Sequence, residues 1–224
     1  MSSIDPTNRL KRSLAMPTVM PIVFVVDDDV SVRESLELLV LNEGWQPVLF
    51  ESAQDFLARS PTSAPSCLIL DVNLPDLSGL DLQQRITGET SSTPIIFITG
   101  YGDIPTSVRA MKAGAAEFLT KPFDDSVIIG AIRSALLRSQ VAVERESSKR
   151  HLQERFASLS KREREVMTLV VKGLMNKQVG GELDISEITV KAHRGRVMEK
   201  MHAVTFVDLV NMAGELGIST PAKG

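Results

Sequence analysis

The sequence predicts an α/β protein in which a doubly wound, five-stranded parallel sheet is followed by a linker helix and a small all-α region. Two observations support this fold class. Five short apolar runs alternate with helical patterns up to residue 137, whereas only helical patterns occur beyond residue 157. Parallel strands need crossover connections, and alternating helices provide them while covering both faces of the sheet.

The five predicted strands are short runs rich in β-branched and aromatic residues. Helical patterns such as VRESLELLVLNEG and DIPTSVRAMKAG separate them and end at Gly44 and Gly114, as helices commonly do. The predicted strands cover residues 22–26, 46–50, 67–70, 94–99 and 116–119.

The composition excludes several classes of protein. With 224 residues, of which 43% are hydrophobic and 24% charged, the chain can form one large or two modest domains. Cys67 is the only cysteine, which excludes a disulfide and a cysteine-based zinc site and favours a reducing cytoplasm. No apolar stretch approaches the roughly 18 residues that a membrane helix needs. Residues 1–20 are expected to be a disordered extension.

Charge is unevenly distributed along the chain. Residues 21–124 carry 15 acidic and 6 basic side chains, whereas residues 125–224 carry 12 acidic and 16 basic ones. An acidic first part suits a cation-binding domain, and a basic second part suits a domain that binds a polyanion.

Three consecutive aspartates, Asp27 to Asp29, follow the first predicted strand. Carboxylates a few ångströms apart repel, so one should take up a proton unless a cation or a hydrogen-bond donor compensates. One interpretation is helix capping, with Asp29 before a helix that starts at Val30. The other is a divalent-cation site at the carboxyl edge of the sheet, where open α/β sheets bind ligands. That interpretation requires oxygen ligands from elsewhere in the chain.

Polar side chains also end the other predicted strands. Asp71 ends the third strand, Thr99 ends the fourth, and Lys121 follows the fifth. The carboxyl ends of parallel strands share one edge of the sheet, so we expect these side chains to converge with Asp27 and Asp28.

The motifs VDDD, LDVNLPDLSG, ITGYGD and FLTKPF occur in this order, and the arrangement resembles the receiver domain of two-component response regulators. The resemblance implies a flavodoxin-like fold and phosphorylation of Asp71 by a sensor histidine kinase. It also implies a Mg²⁺ site, with Mn²⁺ as a substitute, in which Asp28 and Asp71 bind directly. Asp27 would act through water and Asn73 through its backbone carbonyl.

The residue types in these motifs suit phosphoryl transfer. A carboxylate such as Asp71 can act as a nucleophile and form an acyl phosphate. Lys121 and the metal ion would neutralise the phosphoryl oxygens, and the Thr99 hydroxyl would act as a switch. By resemblance, the Lys121–Pro122 peptide is expected to be cis. Phe118 is expected to rotate inward on phosphorylation, although it could equally be an ordinary residue of the strand core.

The resemblance also implies a pairing face beside Thr99 and Phe118. Val108, Lys112 and Glu117 are expected to lie on it. Phosphorylation should make this face self-complementary, so that a mostly monomeric protein becomes a homodimer joined through its receiver domains.

A long helical pattern leads out of the acidic part. It begins at Asp124, continues to Val143 and reaches the polar stretch ERESSKRH. A helix that is polar on all sides either bridges two domains or is not stable. We expect a largely continuous linker helix to about Phe156, and the alternative is a flexible joint near Ser147 and Ser148.

Residues 158–224 contain four short helical patterns with a tight turn at 183–186. Ser160 and Glu163 form a predicted capping box, and Thr205 is predicted to start the last helix. Two helices joined by so short a turn are typical of a helix-turn-helix. The motifs REREV, NKQV, ISEITVKAHR and VMEKM resemble the LuxR-type DNA-binding domain. The whole chain is similar to the FixJ branch of the NarL/FixJ response regulators.

The second helix of this motif is predicted from Ser186 to Met201 and has Val190, Val197 and Met201 on one narrow apolar stripe. The resemblance implies that its opposite face enters the DNA major groove, where Lys191 and Arg196 can reach base edges. A charged, solvated face is the alternative. The expected DNA-contacting residues are Thr189, Lys191, Ala192, His193, Arg194, Arg196 and Lys200.

Together these features predict a cytoplasmic response regulator that is phosphorylated on Asp71, dimerises and binds double-stranded DNA to control transcription. It would contact RNA polymerase if it is an activator, would need no membrane, and would lose its phosphoryl group slowly by self-catalysed hydrolysis. The alternative is a Mg²⁺-dependent phosphoaspartyl phosphotransferase or hydrolase with an external substrate, which leaves the TVKAHR motif without a role. The expected domains are a disordered extension at 1–20, a receiver domain at 21–137, a helical linker at 138–157 and a DNA-binding domain at 158–224.

Overall fold

The computed structural model describes residues 19–87, 92–100 and 104–218. Residues 1–18 of the expected disordered extension lie outside the described residues. The chain divides into two compact units, Met1–Val143 and Glu144–Gly224.

The first unit is built on a sheet of five parallel strands. They are β1 (Ile22–Val26), β2 (Gln46–Phe50), β3 (Ser66–Asp71), β4 (Ile95–Thr99) and β5 (Glu117–Thr120). Their order in the sheet is β2-β1-β3-β4-β5, and all neighbouring pairs are parallel. The predicted doubly wound sheet is therefore confirmed, with strand limits that differ from the predicted ones by no more than one residue.

Helices cover both faces of this sheet. They are α1 (Val30–Asn42), α2 (Ala53–Leu57), α3 (Gly79–Thr87), α4 (Ile104–Lys112) and α5 (Asp125–Ala157). Side chains alternate between the faces of a strand, so Phe24 packs in one hydrophobic core while Val23 and Val25 pack in the other. Burial on both faces explains why the inner strands β1, β3 and β4 are nearly continuous apolar runs, whereas the edge strands β2 and β5 are less buried.

Helix α5 corrects one expectation from the sequence. By length and composition it could cross a membrane, although no stretch of that kind was expected. Its Ile128, Ile132 and Leu136 side chains are buried against the sheet, which explains the apolar character of a core helix. The helix also continues through Ser147 and Ser148 to Ala157.

Up to residue 218, the second unit contains four further helices, α6 (Lys161–Val171), α7 (Asn176–Leu183), α8 (Glu187–Met201) and α9 (Phe206–Glu215). The predicted capping box of Ser160 and Glu163 is present at the start of α6, and Thr205 caps α9. The helices enclose one core, whose fully buried members are Val166, Met167, Val179, Val190, Val197, Met201, Leu209 and Ala213.

A tight turn joins α7 to α8, and one glycine makes it possible. The amide of Ile185 donates to the carbonyl of Gly180 at 3.0 Å. A Cβ atom on Gly180 would lie 2.7 Å from the Ile185 carbonyl oxygen, which is too close for any other residue without a backbone shift. A Cβ on Gly181 would meet no described atom within 4 Å, so packing does not explain that glycine.

Candidate metal centre and nucleic-acid interface

The carboxyl edge of the sheet brings three aspartates together. Strand β1 lies beside β3, with Val26 opposite Leu70, so that Asp27 and Asp71 follow at the same level. One carboxylate oxygen from each of Asp27, Asp28 and Asp71 lies within 4.8 Å of the others. Asp27 and Asp71 are buried, whereas Asp28 is exposed. The cluster is therefore held by the protein on one side and open to water on the other.

The three consecutive aspartates have different roles in the fold. Asp29 caps α1, because its side chain accepts a hydrogen bond from the Ser31 amide at 2.8 Å. The Asp29 amide in turn donates to Asp27 Oδ1 at 2.9 Å. Capping thus accounts for Asp29, and the acidic cluster accounts for Asp27 and Asp28.

Lys121 reaches this cluster from the loop after β5. Its Nζ donates to Asp27 Oδ2 at 2.6 Å and to Asp71 Oδ2 at 2.7 Å. The Lys121 amide also donates to the Thr99 carbonyl at 2.7 Å, and the Lys121–Pro122 peptide is cis. One ammonium group therefore lies between two buried carboxylates.

Burial and hydrogen bonding act in opposite directions on this group. Desolvation raises the pKa of Asp27 above its ordinary value, although hydrogen bonds from Lys121 and the Asp29 amide lower it. Desolvation lowers the pKa of Lys121, but its hydrogen bonds to Asp27 and Asp71 outweigh that effect, and the net pKa is raised. Lys121 is therefore protonated at neutral pH, and it compensates only part of the negative charge.

The donor set at this edge fits a hard divalent cation. Within the described part of the chain, the cluster consists of carboxylates, which are the ligands that Mg²⁺ prefers. The exposed position of Asp28 leaves room for the water ligands that Mg²⁺ usually retains.

Thr99 and Asn73 adjoin the cluster. Thr99 is fully buried at the end of β4, and Asn73 Nδ2 donates to its hydroxyl over a long distance of 3.4 Å. The backbone amide of Asn73 donates to Asp71 Oδ1 at 3.0 Å. On β5, the half-buried Phe118 packs 6.2 Å from Phe97, measured between ring centroids.

The expected pairing face lies on α4 and β5 and is more apolar than predicted. Val108, Lys112 and Glu117 are exposed, as expected for such a face. Ile104 and Met111 are also exposed, at 79% and 46%, and were not predicted. Their spacing with Val108 at i, i+4 and i+7 is the sequence signal that identifies one face of a helix.

In the second unit, α8 presents one side to its core and the other to solvent. Val190, Val197 and Met201 are buried, as the predicted stripe requires. The exposed side carries Ile188, Lys191, Ala192, Gly195 and Arg196. Ile188 is 80% exposed at the start of the helix and was not predicted as part of this surface.

The remaining residues predicted to contact DNA are half-buried, and Thr189, Arg194 and Lys200 bind other residues of the same unit. Arg194 donates to Asn176 Oδ1 at 3.2 Å and stacks over the Phe206 ring, so it links α8 to α7 and α9. Lys200 Nζ lies 2.7 Å from Glu163 Oε2 and links α8 to α6. Thr189 contacts the Ser186 hydroxyl at 2.8 Å, and His193 is half-buried.

Comparison with known proteins agrees with both units. The family model for the response regulator receiver domain matches residues 23–133. The model for the LuxR family of bacterial regulatory proteins matches residues 157–213. The transcriptional regulatory protein FixJ of Bradyrhizobium diazoefficiens is 40% identical over 196 residues, which cover 88% of this chain and 96% of that protein. The chain is a FixJ-like response regulator.

Other relatives support the assignment of this chain to the FixJ-like response regulators. Nodulation protein W of Bradyrhizobium diazoefficiens is 50% identical over 198 residues, which cover 88% of this chain and 87% of that protein. The response regulator StyR has a solved structure that is 42% identical, with a TM-score of 0.80 and coverage of 88% of this chain and all of that chain. The chain therefore belongs to a two-component system and controls transcription through a LuxR-type DNA-binding domain. The phosphotransferase alternative finds no support among these relatives.

Sequence reasoning missed the link between Glu163 and Lys200 in the regulator. Glu163 is only 3% exposed, and its Oε2 accepts from both Lys200 Nζ and the Ser160 amide. The Lys200 hydrogen bond and the Ser160 amide lower the pKa of Glu163 from 4.5 to about 2. The signal in the sequence was the capping box alone, which accounts for the bond to Ser160 but not for the bond to Lys200.

This link predicts a pH dependence of stability. Because the pKa of Glu163 is lower in the folded state, ionised Glu163 stabilises the fold above about pH 4.5, and this stabilisation is lost as the pH falls towards 2. Glu163→Gln should lower the free energy of unfolding at neutral pH by roughly 2 kcal/mol. It should also flatten the decrease in stability between pH 5 and pH 2. Both effects are measured by urea unfolding, with hydrogen exchange of the amides in α6 and α8 as the probe.

A matched control is Glu165→Gln, which removes a partly exposed ion pair with Arg162 and should change stability by less than about 1 kcal/mol. An unchanged pH profile in Glu163→Gln would show that Lys200 and Ser160 do not hold an ionised Glu163.

Proposed function

We propose that a sensor histidine kinase phosphorylates Asp71 and that the phosphorylated regulator dimerises and binds DNA. The observation that carries this proposal is the position of Lys121 Nζ, 2.7 Å from Asp71 Oδ2 at the acidic edge of the sheet. A lysine so placed can move its hydrogen bond from the carboxylate to an incoming phosphoryl oxygen.

The metal in this proposal is Mg²⁺, held directly by Asp28 and Asp71, by Asp27 through water and by the backbone carbonyl of Asn73. Mn²⁺ also accepts oxygen ligands and is expected to substitute for it. When bound, the ion neutralises negative charge on the phosphoryl group and on the carboxylates that surround it.

The chemical step uses groups of the chain itself. An Asp71 carboxylate oxygen attacks phosphorus as the phosphorus–nitrogen bond of the phosphohistidine breaks, and the leaving imidazole recovers a proton. Lys121 balances the charge of the transferred group. The product is an acyl phosphate on Asp71, which water hydrolyses slowly back to the carboxylate.

The switch in this proposal begins at Thr99. Its hydroxyl turns towards the phosphoryl group, Phe118 follows into the space beside β4, and the face with Val108, Lys112 and Glu117 changes shape. The exposed apolar side chains of Ile104 and Val108 support a protein partner for this face, because an apolar stripe on a helix is normally buried. A second copy of the regulator is the proposed partner.

The DNA interface in this proposal is the exposed side of α8. Lys191 and Arg196 read base edges, and Ala192 contacts the groove beside them. Thr189, His193, Arg194 and Lys200 lie towards the phosphates. Since Arg194 and Lys200 already bind Asn176 and Glu163, their main contribution is to hold α8 in position.

The proposed location is the cytoplasm, where the kinase, the DNA and RNA polymerase are all accessible. RNA polymerase is a partner if the regulator activates transcription.

Phosphorylation of Asp71 is tested with acetyl phosphate and Mg²⁺. One base-labile phosphoryl group should appear per chain, and Asp71→Asn should abolish it because an amide cannot act as the nucleophile. Intact-mass spectrometry measures the labelling. Asp81→Asn, which alters an exposed aspartate on α3, serves as the control and should label like the wild type. Stoichiometric labelling of Asp71→Asn would locate the phosphoacceptor elsewhere.

The DNA interface is tested with Arg196→Ala. If the guanidinium reads a base edge, the variant should lose roughly 1 to 3 kcal/mol of binding free energy on a selected duplex and much less on random DNA. Fluorescence anisotropy of the phosphorylated protein measures both affinities. Arg150→Ala removes an equal charge from an exposed position on α5 and should leave the preference for the selected duplex unchanged. An equal loss on both kinds of DNA would assign Arg196 to phosphate contacts.

A further inference from the structure

The loop of residues 72–78 carries Asn73 from the end of β3 to the start of α3. Its first residue is fixed by the sheet, because the Val72 amide donates to the carbonyl of Ile98 on β4 at 3.1 Å. The Gly79 amide closes the loop by donating to the Val72 carbonyl at 3.0 Å. Asn73 itself is exposed. The Asn73 backbone amide is bonded to Asp71 Oδ1 and the Leu74 side chain is buried in the core, so the exposed stretch at Pro75 and Asp76 is the part of the loop that still needs an attachment.

Asp76 provides that attachment. Its Oδ2 accepts a hydrogen bond from the Gln54 amide at 3.0 Å, and its Oδ1 accepts one from the Ala53 amide at 3.3 Å. These amides belong to the first turn of α2, where a helix has no carbonyl partners for its N–H groups. The helix's own N-cap, Ser52, accepts from a different amide, that of Asp55. Asp76 thus satisfies donors that the local sequence does not.

The link between Asp76 and α2 joins the two sides of the acidic cluster. Helix α2 follows strand β2, and the loop of residues 72–78 follows strand β3. Strands β2 and β3 lie on either side of β1 in the sheet. The end of β1 carries Asp27 and Asp28. The hydrogen bonds from Asp76 to residues 22 and 23 positions earlier, in the first turn of α2, therefore fix the β3 loop relative to the strand that supplies the other carboxylates.

The carboxylate of Asp76 is ionised at neutral pH. Desolvation is the largest single effect and raises its pKa, but hydrogen bonds from the amides of Gln54 and Ala53, with those of Asp76 and Leu77, together lower it overall. Charge-assisted hydrogen bonds to amide groups are stronger than neutral ones, which suits a contact that holds a loop.

We propose that Asp76 is a positioning residue for the phosphoacceptor site, whose link to α2 holds the Asn73 backbone beside Asp71. This inference rests on the proposed function, because it assigns the Asn73 carbonyl to the metal. Asp76 itself touches neither the metal nor the phosphoryl group. Its removal should loosen residues 75–76, and through them the Asn73 backbone, while Leu74 and both ends of the loop stay attached.

The proposal predicts that Asp76→Ala lowers the affinity for Mg²⁺ but leaves the rate of phosphorylation at saturating Mg²⁺ almost unchanged. Asp76→Ala should weaken Mg²⁺ binding roughly tenfold, as is typical when a group that orients a metal ligand is removed. At saturating Mg²⁺ the rate of phosphorylation by acetyl phosphate should stay within about twofold of wild type, because the bound ion then orders the loop. Asp76→Asn keeps one acceptor oxygen and should show a smaller loss of affinity.

The experiment compares the full-length wild type with Asp76→Ala, Asp76→Asn and Asp81→Asn. Isothermal titration with Mg²⁺ gives the dissociation constants, and hydrogen exchange reports the Ala53 and Gln54 amides directly. Asp81→Asn removes the same charge from an exposed position on α3 and should bind Mg²⁺ like the wild type. Faster exchange of both amides should accompany the loss of affinity in Asp76→Ala.

Two results would overturn the proposal. One is an unchanged Mg²⁺ affinity in Asp76→Ala despite fast exchange of the two amides. The other is an equal loss of affinity in Asp81→Asn, which would indicate an effect of net charge alone. If Asp76→Ala does not fold, the same comparison with Asp76→Asn decides the question. A wild type that neither binds Mg²⁺ nor accepts phosphate would refute the proposed function instead.

Discussion

Repulsion among three carboxylates at one edge of the sheet is the constraint on which the first unit depends. Asp27, Asp28 and Asp71 are held within 4.8 Å by the pairing of β1 with β3, and two of them are buried. The ammonium of Lys121 compensates part of this charge by binding Asp27 and Asp71 together. The remaining negative charge makes the edge suitable for a divalent cation, and the cation together with Lys121 would in turn offset the charge of a dianionic phosphoryl group.

The same edge connects chemistry to a distant surface. Thr99 and Lys121 are carried by β4 and β5, and the amide of Lys121 is bonded to the Thr99 carbonyl. Phe118 lies two residues before Thr120, the partner of Thr99 in the strand pairing. The phosphoryl group proposed on Asp71 would therefore act on two neighbouring strands, and α4 with its exposed apolar stripe lies between them in the chain.

The sequence predicted the features that depend on local pattern or on the topology of a parallel sheet. Strand ends, helix caps and the convergence of Asp71 and Lys121 are of this kind, because periodicity fixes the elements and the sheet fixes their edge. The links made by Asp76 to α2 and by Lys200 to Glu163 are different. They depend on how close two elements pack, and periodicity contains no information on that distance. The same reason explains why Gly180 could not be understood from the sequence, although its close contact with Ile185 accounts for it in the fold.

The measurement that tests the compensation of charge most directly is the thermal stability of Lys121→Met with and without Mg²⁺. Without metal, Lys121→Met should melt at a lower temperature than wild type, because two buried carboxylates lose their counter-charge. On adding Mg²⁺, its melting temperature should rise more than that of the wild type, because the ion then supplies the missing charge. Arg133→Met, which breaks the exposed pair with Glu43, should behave like the wild type in both conditions. Equal melting temperatures and equal Mg²⁺ responses in Lys121→Met and the wild type would show that Lys121 does not compensate the charge of Asp27 and Asp71.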